Sequence, residues 1–174
     1  ESASYLLSIY LPDIQSDNSH PSSLQTVDNI ATDAVAHAPV TIYSDGGSRG
    51  NPGPSAAAFV IVDANHQVID QGGEYLGITT NNQAEYHGVR LGLEKAAALG
   101  IPSVEFKIDS MLVVNQLNQV YKIKNRELWP INERIIELLG QFNHVRFVHV
   151  SRDLNKMADG LVNKLLDQHQ NDQV

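Results

Sequence analysis

The chain has 174 residues, 42% of them hydrophobic, with twelve Lys plus Arg, twenty Asp plus Glu and no Cys. That length suits one domain with a real core and a possible appendage, and the missing cysteines exclude a disulfide framework, a thiolate nucleophile and a Cys-ligated zinc. The longest purely apolar run, Ala56 to Val62, is far too short to span a bilayer.

The net charge of −8 divides unevenly. Residues 1–39 hold Glu1, Asp13, Asp17, Asp28 and Asp33 and no Lys or Arg, which leaves twelve basic and fifteen acidic residues, a balance of −3, for the remainder. Neither part has the basic excess of a protein that grips nucleic acid mainly through charge. The chain opens on Glu1 with no charged-then-apolar leader, so no secretory signal is expected, and the missing Met suggests a fragment. The expectation is a soluble cytoplasmic protein with no membrane contact and a monomer by default.

In chain order, residues 1–39 read as an acidic N-terminal arm or linker. An apolar stretch, Tyr5 to Leu11, leads into a Ser-, Asp- and Asn-rich segment, and Val27 to Ala38 is a weak short-helix candidate. Val40 to Ser44 reads as a buried strand, and Asp45 to Pro54 as a turn-rich segment. Ser55 to Val62 and Gln67 to Leu76 are two further strands around a tight turn at Asp63 to His66. Thr80, Asn81 and Asn82 supply cap-type residues for a helix over Ala84 to Leu99, which stops at Gly100.

A strand at Val104 to Ile108 and a short helix at Ser110 to Asn118 follow. Leu128, Ile131, Ile135 and Leu138 have helical spacing, Val145 to Val150 is a strand, and Asp153 to Leu166 a final amphipathic helix before a C-terminal tail at 169–174. Three strands followed by alternating helices and strands predict an α/β fold, a mixed sheet with helices on its faces.

Four acids fall at element ends: Asp45, Glu85, Asp109 and Asp159. If the first and fourth strands are parallel neighbours, Asp45 and Asp109 lie about 5 Å apart in backbone spacing, at the crevice where open α/β sheets bind ligands. Converging carboxylates repel unless a cation joins them, and hard divalent ions with oxygen ligands meet that need. Each acid also has an ordinary explanation: Asp45-Gly46 as a turn, Asn82 with Glu85 as a capping box, Asp109 as a cap, Asp159 as a helix-dipole partner.

The residues around those acids add a resemblance. Tyr43-Ser44-Asp45-Gly46-Gly47-Ser48-Arg49-Gly50-Asn51-Pro52-Gly53-Pro54, Thr80-Asn81-Asn82-Gln83-Ala84-Glu85-Tyr86 and Asp109-Ser110 with Val113 to Leu117 resemble three signatures of type I ribonuclease H. Lys124-Asn125 with Leu128-Trp129, and Asn155-Lys156-Met157-Ala158-Asp159, resemble two more, all in order between Val40 and Leu166. The resemblance implies a catalytic domain over 40–168 with a ribonuclease H-like fold: a five-stranded mixed sheet, three antiparallel then two parallel strands, with helices on both faces.

It further implies a metal-dependent endonuclease that cuts the RNA strand of an RNA–DNA hybrid to 5′-phosphate and 3′-hydroxyl ends. Two Mg²⁺ ions, with Mn²⁺ as a substitute, would be held by Asp45, Glu85, Asp109 and Asp159. Gly46, Gly47, Ser48, Asn51, Thr80, Asn81 and Asn82 match substrate-binding positions. An amide both donates and accepts, which suits a 2′-hydroxyl. The alternatives are a related-fold nuclease for DNA or double-stranded RNA, and a non-catalytic binding module.

The sequence departs from the family pattern in three places. No His stands in the loop Ser151 to Leu154 before the last helix, as in the His-less, archaeal-like subgroup. The basic protrusion is missing, because Asn118 leads almost directly through Tyr121, Lys122 and Lys124 to Asn125. Met111 stands where a Gln often follows Asp-Ser.

Overall fold

A computed structural model describes residues 39–174. The arm expected over the first residues, its short helix included, lies outside the described residues. Strands β1 (Val40–Ser48), β2 (Gly53–Val62) and β3 (Val68–Thr79) form an antiparallel meander. Then come α1 (Asn81–Ala98), β4 (Ser103–Ile108), α2 (Met111–Leu117), α3 (Trp129–Leu139), β5 (His144–His149) and α4 (Lys156–Asp172). Single 3₁₀ turns at Arg126–Leu128 and Arg152–Leu154 precede the last two helices.

The sheet order is β3-β2-β1-β4-β5, with β1, β4 and β5 mutually parallel. This is the mixed sheet expected from the sequence. Among the described residues no helix is long and apolar enough to cross a membrane.

β2 is buried along nearly its whole length because both of its faces are covered. Its alternation sorts residues by face. Phe59 and Ile61 enter the larger core, with Ile42, Phe106, Leu93 and Ile135, while Ala56 and Ala58 meet Val162 and Leu166 of α4. Small side chains on that second face let α4 lie close to the sheet. At the head of α1, Thr80 Oγ1 accepts from the Gln83 N–H at 3.2 Å, and Gln83 Oε1 accepts from the Thr80 N–H at 2.9 Å. This reciprocal capping box satisfies two of the donors a helix start leaves open.

Three boundaries differ from the sequence reading. β1 does not end at Ser44 but stays paired with β2 as far as Ser48↔Ser55, because helices pressing on both faces hold Gly46 and Gly47 in the ladder. β3 continues to Thr79. α4 runs on to Asp172, so most of the expected tail is helical. Its last turns are held from the side: His169 stacks on Tyr75 with ring centroids 3.6 Å apart, and Arg49 reaches Asp167 at 2.5 Å and Gln170 at 3.2 Å.

Candidate active site

The β1–β4 pairing ends at Ser44↔Ile108, so Asp45 and Asp109 are the next residues on two adjacent parallel strands. Glu85 joins them from the start of α1. One carboxylate oxygen from each of the three lies within 4.8 Å of the others. Glycine makes this approach possible. A Cβ on Gly46 would fall 2.1 Å from the Ala84 carbonyl, and one on Gly88 would fall 2.7 Å from the Asp45 carbonyl oxygen. The first turns of α1 thus rest directly on the β1 backbone, a contact open only to residues without a side chain.

Asp159, in the first turn of α4, lies outside that three-acid group but lines the same cleft, with Asp153, Arg152 and Lys156. Its charge is close enough to act on Asp45. Burial, then the charges of Asp109 and Asp159, push the Asp45 carboxyl up to about 8, with Glu85 adding a smaller push and the Gly46 N–H opposing it. Burial likewise raises Glu85 to about 7, with Asp109 adding to the rise, against hydrogen bonding from Ser110 and the nearby Arg152 guanidinium. Burial and mutual repulsion thus make the ionised cluster costly unless a cation joins it. Its donors are all carboxylate oxygens, the set that fits a hard divalent cation.

The ordinary explanations fail for three of the four acids. Asp45 sits in the β1–β2 ladder opposite Ala58, not in a turn. The capping box uses Thr80 and Gln83, not Asn82 and Glu85, which leaves Glu85 free of that duty. Ser110, not Asp109, caps α2, its Oγ accepting from the Val113 N–H at 3.3 Å. Asp159 does lie in the first turn of a helix, where the dipole favours an acid.

Of the residues matched to substrate binding, Gly46, Gly47, Ser48 and Asn81 line the cleft. Asn51, Thr80 and Asn82 are outside that lining. Asn51 Oδ1 accepts from the Asn81 N–H at 3.1 Å, tying the glycine loop to the head of α1. The Thr80 hydroxyl is engaged in capping. Sequence reasoning missed Arg152, Lys156 and Asn163 as cleft residues. Asn163 was within reach of a helical-spacing argument, since it lies four residues beyond Asp159 and donates to its Oδ2 at 3.3 Å. Arg152 left no such signal, because its position depends on a 3₁₀ turn. His149 is exposed at the end of β5.

The family described as "Reverse transcriptase-like" matches residues 43–165. The chain is 41% identical to ribonuclease HI of Halobacterium salinarum over 74% of its own length and 64% of that relative's. The crystal structure of RNase H1 from the same archaeon superposes with a TM-score of 0.73 at 40% identity, covering 75% of this chain and 99% of that one. The chain belongs to the type I ribonuclease H family.

A second type I ribonuclease H structure, LC11-RNase H1 solved in complex with an RNA/DNA hybrid, matches at 36% identity with a TM-score of 0.72, over 75% of this chain and 99% of that one. The chain spans about two thirds of the Halobacterium sequence, and 35% of the length of the mycobacterial relatives it matches.

Proposed function

We propose that this chain is a metal-dependent endonuclease that hydrolyses the RNA strand of RNA–DNA hybrids, leaving 5′-phosphate and 3′-hydroxyl ends. The observation that carries the reading is the convergence of Asp45, Glu85 and Asp109 within 4.8 Å at a cleft that Asp159 also lines. These four carboxylates would hold the metal. When bound, a pair of Mg²⁺ ions, or Mn²⁺ in their place, supplies Lewis-acid activation of water and charge stabilisation at the phosphate.

The chain's own residues do the rest by placement. Gly46 and Gly47 line the cleft with main-chain atoms, the space of their missing side chains being taken by α1 and α4. The Asn81 and Asn82 amides suit the donor–acceptor character of a 2′-hydroxyl. Asn51 contributes through the loop it fixes, and Thr80 through the helix start it caps, beside any DNA-phosphate contact of their own. Arg152 and Lys156, which line the cleft together with the Asp167-paired Arg49, offer positive charge among the acids, where a scissile phosphate must be held. No side chain serves as a covalent nucleophile.

With Mg²⁺ or Mn²⁺ the chain should cut within the RNA strand of a hybrid and spare an all-DNA duplex in a gel assay. Equal cutting of both would favour a DNA nuclease, and no cutting of any duplex a binding module. Because the chain is acidic and lacks the basic protrusion, it makes few ionic phosphate contacts, so hybrid binding should be weak and should fall only gradually with salt. Nanomolar binding that falls steeply with salt would contradict this account. Metal affinity should rise between pH 6 and pH 8, as the protons held by Glu85 and Asp45 are released. Calorimetric titrations in buffers of different ionisation enthalpy count those protons.

A further inference from the structure

Asn155, the residue before α4, is 1% exposed and lies behind the acids rather than among them. Its Nδ2 donates to the Ser44 carbonyl oxygen at 2.8 Å and to Asp109 Oδ2 at 3.2 Å. Ser44 immediately precedes Asp45. The Asn155 carbonyl accepts from the Asp159 N–H at 3.1 Å, which opens the hydrogen-bond ladder of α4. One residue therefore connects the chain positions of Asp45, Asp109 and Asp159, which come from three separate elements.

The site tolerates a cost for this arrangement. Among the described residues, the buried side-chain polar atoms without a hydrogen-bond partner are Asn155 Oδ1 and Ser44 Oγ, on the two residues that the amide-to-carbonyl bond joins. An aliphatic side chain of the same shape would remove the unpaired Oδ1 but would take a donor from the Ser44 carbonyl and from Asp109, and a buried unpaired polar atom calls for a reason. The amide has one that neighbouring residue types lack. It offers two N–H groups in one plane, carries no charge, and can meet a backbone carbonyl and a carboxylate together. An Asp here would have no donors when ionised and would add another anion to the cluster.

We propose that Asn155 is a positioning residue for the metal site. It fixes the Asp109 carboxylate against the end of β1 and sets the distance from that pair to the head of α4. Because it is buried, it acts on the acids and not on the nucleic acid. This inference rests on the reading of the cluster as a metal-dependent nuclease site, and its test separates the two.

The test uses the full chain with Asn155→Leu, which keeps the branch at Cγ and removes both polar atoms, and Asn155→Ala. Mn²⁺ binding is read by calorimetry and hybrid cleavage by steady-state kinetics. Outer partners of metal ligands typically change affinity or activity by roughly 10–100-fold. The variants should therefore need at least about tenfold more Mn²⁺ for half-saturation, with kcat lowered, KM for the hybrid unchanged, and turnover partly restored at high Mn²⁺. A residue that only supports the fold would lower the unfolding midpoint without shifting the Mn²⁺ requirement. If the wild-type chain binds Mn²⁺ and the variants bind it equally well, the positioning role is overturned and the proposed function stands. If the wild-type chain binds no divalent cation, the nuclease reading fails and takes this inference with it.

A measurement on the unaltered chain covers the case in which both variants fail to fold. The Asn155 side-chain amide resonance should be slow to exchange and should shift when Mg²⁺ is added. A resonance that Mg²⁺ leaves unmoved would overturn the proposal.

Discussion

Asp45→Asn is expected to stabilise the metal-free chain at pH 8, to leave its stability unchanged near pH 4, and to abolish hybrid cleavage. The cause is the charge that Asp45 must carry in a cleft that disfavours it. Burial and the neighbouring acids Asp109, Asp159 and Glu85 raise its folded pKa to about 8, while the unfolded chain keeps an ordinary value of about 3.8. Between those values the folded state binds more protons than the unfolded one, so stability falls as pH rises through the window. The penalty is absent below about pH 4 and complete above about pH 8.

Each pKa unit corresponds to about 1.4 kcal/mol. Relaxation and water entry into the cleft bring the expected gain for Asp45→Asn to ~2–3 kcal/mol at pH 8. Urea unfolding in the presence of a chelator, at pH 4 and pH 8, measures it directly. Equal stabilities at pH 8 would show that the four acids are not in conflict in the metal-free chain. Loss of folding would make Asp45 a structural residue. Cleavage should disappear because asparagine offers a neutral ligand where the cluster needs an anionic one.

The acids were legible in the sequence because each falls where a periodic run begins or ends, and periodicity is what sequence shows best. The same patterning gave the order of strands and helices. The end of β1 was not legible. Gly46 and Gly47 carry turn chemistry in isolation, and only α1 and α4 closing on opposite faces of the sheet keep them in the ladder. The capping pair was not legible either: the spacing of Asn82 and Glu85 fits a capping box, but the helix begins at Asn81 and the pair in use is Thr80 with Gln83. Asn155 stood in plain view inside a matched motif. Its significance depends on β1 and β4 ending side by side, and no spacing along the chain encodes that adjacency. The last two turns of α4 were unreadable for a similar reason, since Tyr75 and Arg49, which hold them, are about a hundred residues away in sequence.

Gly46→Ala should be the most damaging single-methyl change in the domain, costing more than about 4 kcal/mol or preventing folding altogether. The added Cβ would fall 2.1 Å from both the carbonyl carbon and the oxygen of Ala84, and 2.4 Å from the Glu85 nitrogen. These are backbone atoms inside a capped helix, so no rotamer change relieves the overlap. Either α1 lifts off the sheet or β1 bends away from it. The next residue supplies the control. A Cβ on Gly47 faces α4 and meets only Val162 Cγ1, at 3.3 Å, the end of a side chain that can shift a few tenths of an ångström. Gly47→Ala should therefore cost no more than ~1–1.5 kcal/mol. Denaturant unfolding of the two variants reads the difference, and similar losses would refute direct contact between β1 and α1 as the constraint. Whatever fraction of Gly46→Ala does fold should bind Mn²⁺ more weakly than the Gly47 variant. The displaced helix carries Glu85 with it, and Glu85 can meet Asp45 and Asp109 only while the α1 backbone rests on the strand.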